Sequence, residues 1–114
     1  MAPMVTMEAI EIKNLKTETP VNPWDFIVDS SSVLGNPFTE SEINSRDDVC
    51  RAYRIYFYNR INAYDVIIMD EIRRLYKAYR KHGRLNLFCW EAPKTSHANT
   101  IRDYLYVYIS SNTL

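Results

Sequence analysis

The run Leu85-Asn86-Leu87-Phe88-Cys89-Trp90 constrains this chain more than any other segment. It is short, mostly apolar and followed by Pro93, the pattern of a buried strand central to a sheet. A helical period precedes it: from about Val66 to His82, Ile68, Ile72, Leu75 and Tyr79 fall on one side. Gly83 is placed to close that helix, with Lys81 and His82 suiting its negative end. A strand reached through helices pairs in parallel with the strand that came before them.

The earlier segments supply that partner. Ala9 to Leu15 alternates apolar and polar residues and reads as a half-buried strand, followed by a loop from Lys16 to Pro23. Trp24 to Asp29 is a second short strand, and Ser30 to Pro37 a polar connection in which Gly35 is free to take φ > 0. Pro37 keeps Asn36 out of the helical region and so orients its side chain. A first helix is expected from Ser45, capped with Asp48, with Val49, Ala52, Tyr53, Tyr56, Phe57 and Arg60 inward. An earlier turn is expected at Thr39, with Glu42 three residues on and Phe38 stapled to Ile43. The chain breaks around Asn62 to Asp65. After Pro93, Thr95 or Ser96 caps a last helix that turns Ile101, Tyr104, Leu105 and Tyr108 inward. The order strand, strand, two helices, strand, helix predicts a small two- or three-layer α/β domain with a mainly parallel sheet of three or four strands.

The chain's 114 residues suit one domain with a modest core, the first seven reading as a flexible tail. Fourteen basic and fourteen acidic side chains cancel, which argues against nucleic acid and anionic membranes as partners. No apolar run approaches the roughly 20 residues that span a bilayer. The start of the chain lacks the parts of a secretion signal. Cys50 and Cys89 are too few for a disulfide framework, so a cytoplasmic location is expected.

With the second and third strands parallel, the loops after both leave the same sheet edge, where open α/β sheets bind ligands. One loop offers Ser30, Ser31, Ser32 and Asn36. The other offers Trp90, Glu91, Ser96 and His97 beside the backbone N–H groups that open the last helix, a place for an anion or polar ligand. Cys89 reads either as a small core residue or as a nucleophile with His97 as its base. Glu91, on the strand face of Cys89 by alternation, reads as a general base, a ribose-hydroxyl acceptor or a solvated carboxylate. His97 at a helix start is expected to be neutral, donating to a ligand or capping the turn. Trp90 either stacks on a base or covers the sheet, and Asn36 either meets a ligand or ties the loops together.

Val33-Leu34-Gly35-Asn36-Pro37-Phe38 and Leu87-Phe88-Cys89-Trp90-Glu91-Ala92-Pro93-Lys94-Thr95-Ser96-His97-Ala98 resemble an uncharacterised small domain family common in phages and bacteria. Its members carry a Gly-Asn-Pro-Phe loop, a helix and a Cys-Trp-Cys-Ala-Pro…Cys-His turn; the likeness runs from Trp24 to Leu105. The resemblance implies a Rossmann-like fold and a place among phage accessory genes, without implying an activity. Glu91 and Ser96 stand where the family has cysteines. Only Cys89 and His97 of an imaginable zinc site remain, with Glu91 as a third candidate ligand, and no metal or cofactor is expected. Asp29 and Ser30 stand where the family often has an arginine, which puts an inherited phosphate contact in doubt.

These features lead to an expected phage-type accessory protein that binds a nucleotide-derived small molecule and sequesters a host defence signal. A nucleoside- or nucleotide-processing hydrolase or transferase using Cys89 or Glu91 with His97 is the alternative. A third reading is an inhibitor of a host protein acting through the basic stripe Arg73, Lys77, Arg80, Lys81 and Arg84, for which a solvated helix face is the commoner explanation. Nine tyrosines exceed the needs of one small core. Tyr58 and Tyr106, off the inward faces, suggest a homodimer surface.

Overall fold

The computed structural model describes residues 9–38, 45–92, 94 and 96–112. The expected tail, the turn at Thr39 with Glu42 and Ile43, the break at Pro93 and a cap at Thr95 lie outside them. In chain order the elements are β1 (Ile10–Asn14), β2 (Asp25–Ile27), α1 (Arg46–Asn62), α2 (Val66–His82), β3 (Leu85–Cys89) and α3 (His97–Ser111). The three described strands form a parallel sheet in the order β1-β3-β2. The apolar run is thus the central strand, and all five of its residues are buried. The outer strands are shorter than expected, although backbone bonds to β3 continue one residue past them, from Leu15 N–H to the Cys89 carbonyl and from Val28 N–H to the Phe88 carbonyl.

Register sorts the sheet into two faces. Ile10 and Ile12 align with Leu85 and Leu87, and Phe26 with Leu87. These residues, Ile12 at its edge, join Cys89 in one core cluster with Tyr53 and Phe57 of α1, Ile68, Ile72 and Leu75 of α2, and Ile101, Leu105 and Ile109 of α3. Helix contacts lie within that layer: Phe57 meets Tyr104 edge-on, and Tyr76 meets Tyr108. The arrangement is therefore two-layer. Phe88 and Asn86 are buried outside that cluster, while Glu11 and Ile27 beside them on the other face are exposed.

Local chemistry sets the helix ends. Ser45 and Asp48 form the expected capping box of α1. Asp65 caps α2, accepting from Ile67 and Ile68 N–H at 3.0 and 3.3 Å. Gly83 closes α2 in the left-handed region, φ 75°. Ser96 with Asn99 caps α3. Arg60, expected inward, is instead exposed; it pairs with Asp65 and lies over the Tyr56 ring. Tyr58 and Tyr106 are half-buried against the core, Tyr58 lying edge-on to Phe57 and Tyr104. No helix among the described residues is long and apolar enough to cross a membrane.

Candidate functional site

β2 and β3 are adjacent and parallel, so the chain leaves both at one sheet edge, and the two following loops meet there. His97 Nε2 donates to the carbonyl of Val28. The Trp90 indole N–H donates to Asp29 at 3.2 Å, and Asn14 at the end of β1 donates to the carbonyl of Ala92 at 2.5 Å. These contacts join segments more than sixty residues apart in sequence.

Between the loops lies a cavity of about 270 Å³. Asp29, Ser30, Asn36 and Phe38 line it from the loop after β2, and Trp90, Glu91, Ser96 and His97 from the turn after β3. The first turn of α1 contributes Arg46, Val49 and Cys50. Sequence reasoning missed this third wall. Its signal was the spacing Arg46, Val49, Cys50, which puts three residues on one helix face. What was not legible is that α1 starts at the same edge as α3.

Gly35 shapes the first loop differently from the expectation. It does not take a positive φ; a Cβ there would lie 2.2 Å from the Asp29 carbonyl oxygen and 2.7 Å from Ser30 Cα. The loop therefore needs glycine for close approach of backbone to backbone. The fold is held by Gly35 N–H on the Ser32 carbonyl at 3.0 Å, and by the buried Tyr53 hydroxyl donating to the Leu34 carbonyl at 2.8 Å. Asn36 turns inward on its own loop, accepting from the Phe38 N–H at 2.9 Å. Ser31 and Ser32 do not line the cavity. Ser31 donates through both backbone and hydroxyl to the Asp29 carboxylate, and Ser32 donates its hydroxyl to the Asp29 carbonyl at 2.9 Å. The Ser31 hydroxyl foremost, then the Ser31 N–H and the Trp90 indole, hold the Asp29 carboxyl below the usual carboxylate range.

The second turn also departs from its expected chemistry. The strand stops at Cys89, so Glu91 stands in the turn rather than on the strand face, accepting from the Trp90 N–H at 3.1 Å. Cys89 is fully buried with its sulfur 3.6 Å from the Ser96 hydroxyl; Cys50, not Cys89, reaches the cavity. The start of α3 is largely satisfied from within. The Ser96 hydroxyl takes the Ala98 N–H, the Asn99 side chain takes the Ser96 N–H, and the Asn99 N–H returns to the Ser96 carbonyl. The anion site expected there loses those donors. His97 is 5% exposed, lies edge-on to Tyr53, and is held below the usual imidazole range by burial, so it is neutral near pH 7. No group of three or more His, Cys, Asp or Glu among the described residues is placed to hold a metal ion.

A family model matches residues 11–106. The chain belongs to that family, the domain of unknown function DUF4326. The match includes both loops and the whole sheet apart from Ile10, so the cavity belongs to the shared domain. No curated protein and no solved structure matches the chain. The DUF4326 domain thus presents a cavity with two carboxylates, a half-exposed indole and one guanidinium, beside a neutral histidine spent on a backbone carbonyl.

Proposed function

We propose that this DUF4326 protein binds a nucleotide-derived small molecule in the cavity between the two loops. One observation carries the reading: Asp29 and Glu91 line the same small cavity as Trp90, which is 48% exposed. Carboxylates accept from paired hydroxyls, and a ribose presents two vicinal ones. An indole face suits a base. Arg46, on the α1 wall, suits a phosphate. A volume of about 270 Å³ is at the small end for ligand pockets, which favours one nucleoside unit enclosed with any further phosphates outside. On this reading the chain is a Rossmann-like accessory protein of phage type, acting in a bacterial cytoplasm by holding a defence signal away from its receptor. The enzyme alternative has less support, since Cys89 is enclosed and His97 already has a partner.

Calorimetric titration with adenosine, AMP, ADP-ribose and cyclic dinucleotides tests the reading. Binding of at least one, weakened about tenfold or more by Trp90→Ala and by Glu91→Gln, is the expected result. Binding of none, or binding indifferent to both substitutions, would overturn it.

A further inference from the structure

At the other end of the sheet, α2 and α3 enclose a second, shallower groove of about 550 Å³. Its lining is Arg73, Tyr76, Lys77, Arg80, Lys81 and Tyr108, four cations with no carboxylate among them. The whole chain is neutral, so this is a local concentration of charge rather than a share of a general excess. Complementing the end of the α2 dipole accounts for Arg80 and Lys81 in the last turn, but not for Arg73 or Lys77 further back. Lys77 and Lys81 have no ion-pair partner among the described residues. Arg73 pairs with Asp70 at 3.0 Å on the open surface, a contact of the weak, exchangeable kind.

We infer that this groove docks an extended acidic segment of a partner protein. Arg73, Lys77 and Lys81 follow one another at four-residue steps along α2. Such steps advance about 6 Å along a helix. Alternate side chains of an extended chain recur at about 6.6 Å, so carboxylates at every second position come into register with the three cations. The tyrosines favour a peptide over single-stranded nucleic acid. Tyr76 and Tyr108 are half-buried and paired edge-on at 5.3 Å, and the Tyr76 hydroxyl is tied to the Asn112 carbonyl and to Arg80. They give an amphipathic floor rather than free ring faces on which bases stack.

The groove and the nucleotide cavity share no lining residue, so each proposal can fail alone. The test is fluorescence anisotropy of the full chain with a labelled peptide of alternating Glu and Ser, and with oligodeoxythymidine of equal length. The peptide should bind, more weakly as salt rises. Lys77→Glu/Lys81→Glu should weaken it at least about tenfold, whereas Lys16→Glu/Arg54→Glu, an equal change in net charge elsewhere, should shift it less than about threefold. Absence of peptide binding, tighter binding of the oligonucleotide, or equal losses in the two double variants would overturn the inference. Unchanged circular dichroism of the variants separates loss of docking from loss of fold.

Discussion

Replacing Gly35 by alanine puts the first loop to its hardest test. The added methyl would sit 2.2 Å from the Asp29 carbonyl oxygen and 2.9 Å from its carbonyl carbon, inside the 3.0 Å that real Cβ contacts respect. Both neighbours are backbone, so no side chain can swing aside, and the two segments must separate by about 1 Å. Overpacking of this kind costs about 1–3 kcal/mol. The displaced carbonyl also receives the Ser32 N–H and hydroxyl, at 3.0 and 2.9 Å, and weakening these adds about 1 kcal/mol. A total of about 2–4 kcal/mol corresponds to a fall in Tm of about 8–16 °C for a chain of this size. Gly83→Ala is the matched control. There φ is +75° with open space around the Cβ position, so the cost is backbone strain alone, about 1 kcal/mol or about 4 °C. Thermal unfolding followed by circular dichroism measures both. Gly35→Ala should in addition lose ligand binding, because Asp29, Ser30 and Asn36 move with the loop, while Gly83→Ala should retain it. A Gly35→Ala variant as stable as Gly83→Ala would refute the close-approach argument.

Two further outcomes follow from the buried polar groups. Tyr53→Phe leaves the Leu34 carbonyl without its partner and should cost about 1–3 kcal/mol, against a near-neutral Tyr106→Phe; matching urea midpoints would remove the tether from the account. Burial holds His97 below its ordinary 6.5, so the folded chain refuses a proton that the unfolded chain accepts. Stability is then full above pH 6.5 and declines as pH falls below it, until the folded pKa is passed. Asp29, lowered chiefly by the Ser31 hydroxyl, contributes stability that is present above the unfolded value of 3.8 and lost as pH drops through its folded one. His97→Gln should flatten the upper part of the pH–stability profile and spare the acid part; an unaltered upper part would show that His97 is not its source.

Much of the fold was legible because it depends on local chemistry. Ser45 with Asp48 and Gly83 after Lys81-His82 announce helix ends wherever the helices pack. The mostly apolar character of Leu85–Cys89 reflects the burial of a central strand. Asp65 could have been read as the α2 cap from its place before Val66, and Cys50 as a neighbour of Arg46 from helical spacing. The role of Gly35 could not, because it depends on a backbone segment six residues earlier folding back against it.

Element order, helix boundaries and the parallel sense of the sheet were therefore settled by composition and periodicity along the chain, where each signal arises within a turn or two of backbone. Which groups remain available to a ligand was decided only in three dimensions. Folding encloses Cys89 and ties His97 to the Val28 carbonyl, and it carries Asp29, Arg46 and Cys50, each with bonds of its own, to the cavity wall. A hydrogen bond or a burial depends on distances between atoms remote in sequence, and those distances exist only once the loops after β2 and β3 have packed against each other and α1.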